Sequence, residues 1–322
     1  MSDSPTVLPE VVATAKAPTP PAPVVTTTPN TSFVQRLINV QFSLGTGTFG
    51  NTGFDTVTLS ALRTSCEITI GGLTSNAAQV RISGMTFQMM AQLMTMGVQP
   101  QTGTARRNLI TIQAGNASGM ATVFQGTIFN AFFDGSQMPE TTFYVLANGT
   151  FLPQLKPVPP SGYAGNAAVS NIMANLAGQI GATFENNGVT TTLSNPYFPG
   201  TAMQQIEACA KAANVGVCLD PASNTLAIWP TNGTRGGSVP IVSADTGMIG
   251  YPTLQPSGLI VRTLYNPSIQ IFGKIQVQSQ LPMANGVWQV TSAVHDLESM
   301  QPGGRWQSEL VVVTPGTIAT WG

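Results

Sequence analysis

The sequence predicts a mostly β protein in which a small α/β module separates two β-segments. Three observations carry that prediction. Apolar residues alternate with polar ones in two separate regions, the period of half-buried strands. Helical spacing is concentrated in the middle of the chain, and stretches rich in proline or glycine fall where the texture changes. The resulting order is residues 1–32 as an extended Pro-rich arm and 33–151 as a first β-domain. A Pro-rich linker at 152–160 leads to a small α/β domain at 161–230, then a second β-domain with a C-terminal tail at 231–322.

Residues 1–30 hold seven of the 24 prolines and three charges, including the run A-P-T-P-P-A-P-V-V from Ala17 to Val25. Such a segment buries no core of its own and is expected to be extended and polyproline-like, held against a neighbouring chain. Next, Leu62, Thr64, Cys66, Ile68 and Ile70 alternate with Arg63, Ser65, Glu67 and Thr69 up to Gly71-Gly72, a strand with one buried face. Further strands are expected at 34–44, 108–114, 121–129 and 141–146. A helix from about Thr86 to Met96 interrupts them, with Met85, Met89, Met90, Leu93 and Met94 on one face. Methionine adapts to irregular surfaces, so this face suits a sheet and also a neighbouring subunit. In the middle module, Val169, Ile172, Met173, Leu176 and Ile180 fall at helical spacing and stop at Gly181. A second helix opens at Thr201-Ala202-Met203-Gln204, a capping-box pattern, and runs through Ile206, Cys209 and Ala213. Short strands at 190–193, 217–219 and 226–229 surround a turn at 221–224. After a glycine-rich bridge, 233–237, strands are expected at 259–265, 273–279, 286–297 and 306–314.

Composition narrows the function. Only 12 basic and 13 acidic residues occur among 322, where a soluble domain devotes about a quarter of its residues to charge. So thin a charged coat suits a chain whose surface is covered by other subunits, because interface cores are depleted in charge. A net charge of −1 offers no basic excess for releasing counterions from phosphates, which argues against tight nucleic-acid binding. The one basic cluster, Arg106-Arg107, is expected to flank a strand. No run of 18 apolar residues exists and the N-terminus has no secretory pattern, so neither membrane insertion nor export is expected.

No catalytic, cofactor-binding or metal-binding residue set emerges. The sole histidine, His295, precedes Asp296, but neighbours on a strand face opposite sides, so the two do not form a Ser–His–Asp arrangement. Cys66, Cys209 and Cys218 lack ligand spacing and read as buried small hydrophobes. A Cys209–Cys218 disulfide is conceivable from proximity, but nothing requires it. The carboxylates Glu67, Asp134, Glu140, Glu185 and Glu207 are isolated in sequence, with Glu67 and Glu207 at plain surface positions. No phosphate-binding glycine pattern opens a helix. The expectation is a non-enzyme without cofactor.

Two stretches carry a resemblance. Ala114–Gly149, with A-G-N-A-S-G-M-A-T-V-F-Q-G-T-I and F-F-D-G-S-Q-M-P-E-T-T-F-Y-V-L-A-N-G, resembles the first β-domain of baseplate hub proteins from contractile-tailed bacteriophages. From Ile260 to Val313 the order Y-N-P, G-K-I-Q-V-Q-S, N-G-V-W-Q-V, V-H-D-L, G-G-R-W-Q-S is similar to their closing β-domain, and P-G-T-A-M-Q-Q-I (Pro199–Ile206) sits where that family carries a small inserted domain. The resemblance implies two tail-tube-like β-barrel or sandwich domains flanking an α/β module. It implies a homotrimeric structural virion protein of the tail baseplate, assembled in the host cytoplasm. The implied partners are the hexameric tail tube protein and the central spike protein, with tape measure and wedge proteins as further neighbours. DNA would pass transiently through the ring's channel without specific binding. A β-rich surface adhesin or carbohydrate-binding module is the alternative, since low charge and Thr, Asn and Gly richness fit it too. A fused or cryptic cell-wall hydrolase comes third.

Overall fold

The computed structural model describes residues 34–50, 53–94, 108–136, 138–150 and 158–317. The arm at 1–32, the Arg106-Arg107 pair, most of the 152–160 linker and the end of the tail lie outside these. Seven strands come first: β1 (Leu37–Ser43), β2 (Thr56–Leu59), β3 (Arg63–Ile70), β4 (Ala77–Ser83), β5 (Leu109–Asn116), β6 (Gly119–Asp134) and β7 (Thr142–Asn148), with α1 (Phe87–Leu93) between β4 and β5. The middle module holds β8 (Ser161–Gly162), β9 (Asn166–Ala168), α2 (Val169–Ile180), β10 (Thr183–Asn186), β11 (Thr192–Ser194), β12 (Tyr197–Phe198), α3 (Ala202–Ala213), β13 (Val215–Asp220) and β14 (Thr225–Pro230). Six strands close the chain: β15 (Ile241–Ser243), β16 (Thr253–Gln255), β17 (Gly258–Leu264), β18 (Lys274–Gln278), β19 (Gly286–Ser299) and β20 (Trp306–Val313). The chain is mostly β with a small α/β module, as its period pattern predicts.

The two β-segments share one sheet, with strand order β16-β17-β20-β19-β3-β4-β7-β6-β5-β1-β2, and β15 and β18 attached beside β19. The junction is antiparallel pairing of β19 with β3, from Ala293 opposite Ile70 to Ser299 opposite Thr64. β19 serves both segments because it is long. Its first residues pair with β18 and its last seven with β3, while β20 follows it on the other side. A bulge at Thr291, where Val290 and Ser292 face consecutive partners on β20, separates the two pairings. Two more bulges, at Val123 and Phe129, break the 16-residue strand β6. Each extra residue bends its strand and increases twist, so a long strand wraps around the core instead of running flat.

Alternation puts the expected residues inside. Thr64, Cys66, Ile68 and Ile70 of β3 are buried, as are Ala78, Val80 and Ile82 of β4 and Phe143, Val145 and Ala147 of β7. All of these but Thr64 join one apolar core that continues into the closing segment through Val261, Val290, Leu297, Leu310 and Val312. Helix α1 is shorter than its methionine spacing suggests. It starts at the N-cap Thr86 and ends at Met94; Met90 and Leu93 are buried, and Met89 and Met94 pack against the core. The module's own core lies between α2, α3 and the three-stranded sheet β10-β14-β13. Gly181 ends α2 at φ 75°, a left-handed position suited to glycine. Both halves of the expected capping box form at α3, with Thr201 accepting from the Gln204 amide and Gln204 accepting from the Thr201 amide. The strand directly after α2 is β10, which pairs parallel with β14, and the expected strand near 190–193 is β11, paired with β9. Among the described residues no helix is long and apolar enough to cross a membrane.

Candidate functional surface

The sheet shared by both β-segments presents one continuous face opposite the core. Register places one row of side chains across seven strands: Leu264, Gln307, Asp296, Glu67, Gln79, Leu146 and Asn130. A parallel row holds Arg262, Glu309, Val294, Thr69, Ala77 and Asn148 and ends at the buried Thr127. Polar side chains predominate, and the arginines on and beside these rows are already engaged. Arg262 Nε lies 2.8 Å from Glu309, and Arg305 Nη1 lies 2.7 Å from Asp296. Arg63 meets Glu140 at 3.7 Å, and the Arg81 guanidinium sits 5.7 Å from the Tyr144 ring centre. The carboxylates Glu67 and Asp296 stand directly opposite one another where the segments join. Like charges across strands are destabilising, so this pair keeps negative potential at the seam at some cost to the fold. Burial, opposed by Arg305 and reinforced by Glu298 and Glu67, holds the Asp296 carboxyl above its ordinary range.

His295 points to the other side of β19. It is 7% exposed, and its Nδ1 lies 2.8 Å from the hydroxyl of Ser308, itself 2% exposed. The Tyr265 ring meets it edge-on at 5.4 Å. Burial lowers its pKa from 6.5 to about 4, so the ring is neutral near pH 7. A Ser–His pair does exist here, which the sequence reading missed because Ser308 lies on the neighbouring strand. It is enclosed, and Asp296 is on the opposite face with Arg305, so no three-residue relay is assembled. Cys66, Cys209 and Cys218 are free and buried. Burial raises all three thiols, Cys209 and Cys218 to about 12, which leaves them unreactive. Among the described residues no three His, Cys, Asp or Glu side chains are grouped to hold a metal.

The module is fixed to both β-segments by buried polar contacts. Asn76 Nδ2 donates to the Leu219 carbonyl at 2.9 Å, and the Gln125 amide donates to the Pro221 carbonyl at 2.8 Å. On the other side Trp229 packs on Phe272 with ring centres 5.0 Å apart. Beside it Arg235, 2% exposed, lies 2.7 Å from Asp220 and 2.9 Å from Glu185, and its amide donates to the Phe272 carbonyl. Burial works to raise the Glu185 carboxyl, yet hydrogen bonds from Arg235 and Asn187 leave it below its ordinary value. No sequence pattern pointed to this triad. Glu185 and Glu207 read as unconnected, and Arg235 sits inside a glycine-rich bridge. Glu207 is half-buried on α3 and Glu67 is exposed on β3.

Comparison with known proteins fits this architecture. A family described as "Baseplate hub gp41" matches residues 55–304, which cover the module and most of both β-segments. The fold is similar to that of the 43 kDa tail protein of prophage MuSo2 from Shewanella oneidensis, with TM-score 0.57 and 11% identity over 88% of this chain and 98% of that one. It is also similar to the tail protein of Neisseria meningitidis MC58, with TM-score 0.56 and 10% identity over 87% and 98% of the two chains. No curated protein sequence matches this one.

Proposed function

Because the chain belongs to the baseplate hub gp41 family of phage tail proteins, we propose that three copies form a ring joining the tail tube to the central spike of a contractile tail. The chain acts as a structural component of the virion baseplate, without catalysis. The observation that carries this reading is the single sheet running through both β-segments. Each copy contributes two β-units, 33–151 and 231–322, as tube-like domains, with 161–230 inserted between them on the outside. Six β-units in a threefold ring then continue a sixfold tube, and the spike takes the opposite face. The shared sheet's solvent-facing side lines the channel. Its Thr, Gln and Asn side chains, its engaged arginines and the Glu67–Asp296 seam give a phosphate backbone nothing to grip, so DNA slides without specific binding. Tape measure and wedge proteins are neighbours in the same assembly, which forms in the host cytoplasm.

Native mass spectrometry of the purified full chain tests the ring. A species near three times 33.6 kDa is expected at micromolar concentration. A stable monomer under the same conditions sinks the proposal.

A further inference from the structure

The module carries an open groove of about 510 Å³ between its entering segment and helix α2. We propose that it receives the Pro-rich segment Ala17–Val25 of a second copy of this chain. The groove's walls are Pro159, Pro160 and the ring of Tyr163, with Asn175 and Gln179 along the helix side. Tyr197, 64% exposed, pairs with Gly162 at the groove's edge, where a Cβ on that glycine would lie 3.3 Å from its ring.

This chemistry matches a polyproline ligand. Prolines offer carbonyl acceptors but no N–H donors, and Pro-rich P-x-x-P segments dock in aromatic-lined grooves. Ala17–Val25 contains two overlapping P-x-x-P spacings, Pro18 to Pro21 and Pro20 to Pro23, and no charge. The groove supplies the missing donors. Asn175 Nδ2 donates to the Tyr163 hydroxyl at 3.1 Å; this uses one of its two hydrogens and leaves the hydroxyl's own hydrogen to donate. No charged residue lines the groove, which agrees with a neutral occupant.

The geometry favours a neighbouring copy as the source. The described chain starts where Gln35 meets Met300 and Arg36 lies over Trp306, beside the first residues of β3. The module docks at the other end of that strand, through Asn76 after β4's preceding turn. To return to its own module the arm would cover all of β3, about 24 Å at strand rise, and then reach the groove. The eight residues 26–33 span at most about 29 Å when fully extended. A copy placed beside or beneath the first meets the arm without that detour. The proposal needs two adjoining copies but not a ring of three, nor a tail, so it can fail while the hub reading stands.

The test is photo-cross-linking in the full chain, with Ala22→p-benzoylphenylalanine as the probe, mixed with an equal amount of nitrogen-15-labelled chain lacking it. Cross-links from position 22 to labelled peptides covering 159–163 or 175–179 are expected. Tyr163→Ala and, at an exposed position, Asn175→Arg should each lower their yield at least fivefold without changing the melting temperature by more than a few degrees. Cross-links within the same chain, cross-links elsewhere, or none overturn the proposal. So does a groove that binds chitotriose while the arm stays uncross-linked, since that marks a glycan site.

Discussion

Acidification should destabilise this fold, and His295 carries a separable part of the effect. Its ring is buried against Ser308 and Tyr265, and its pKa falls from 6.5 to about 4 on folding. Between those values the unfolded chain binds the proton and the folded chain does not, so stability falls as pH drops. The contribution is intact above pH 6.5 and fully lost near pH 4. At about 1.4 kcal/mol per pH unit, the loss amounts to roughly 2 kcal/mol at pH 5 and about 3 kcal/mol at pH 4. Urea unfolding of the full chain and of His295→Gln, at pH 7.5, 6 and 5, isolates this effect, because carboxylates such as Glu185 titrate in both. The variant starts less stable by about 1 kcal/mol from the lost Ser308 hydrogen bond. Its stability should then decline less steeply, so that the two curves cross just below pH 6 and the variant is the more stable of the two by about 1 kcal/mol at pH 5. Parallel curves would refute the buried neutral ring. In particles carrying the variant, infectivity should stay near normal; loss of a lytic activity with folding intact would contradict the non-catalytic reading.

Three further predictions concern how the chain is held together and what its sheet faces. Arg235→Ala leaves Asp220 and Glu185 buried or half-buried without their cation and should cost about 3–5 kcal/mol, read as a shift in urea midpoint. Gly216→Ala places a Cβ 2.2 Å from the Trp229 indole nitrogen, so it should cost about 1–3 kcal/mol by overpacking and red-shift tryptophan fluorescence as the Trp229–Phe272 contact opens. Glu67→Lys replaces a like-charge pair with an opposite one across from Asp296; it should raise stability by a few tenths to about 1 kcal/mol while slowing DNA release from assembled particles. A release rate unchanged by that reversal would place the sheet face away from the channel.

Much of the fold was legible because its strongest signals are local. The Thr201–Gln204 box and the stop at Gly181 fixed the helices of the module to within a residue or two. The 62–70 alternation located β3 together with its buried face. β4 escaped notice, since Ala77-Ala78 opens it with little contrast between faces, and β10, β15 and β16 are too short to show a period. The bulged positions at Val123 and Phe129 blur β6's alternation, so it appeared shorter than its 16 residues. What no local pattern could reveal is partnership across the chain: β19 with β3, Ser308 with His295, and Arg235 with two carboxylates 15 and 50 residues away. Nor could any local pattern reveal the continuous sheet face, because it exists only once the two segments pair.

The most direct test of the account is an averaged electron-microscopy image of the assembled protein at a resolution that traces strands. A closed threefold ring is expected, its central opening lined by the rows through Glu67, Asp296, Gln79 and Gln307, with α2 and α3 outside. A ring with this face turned outward, or copies that join without an opening, would contradict it.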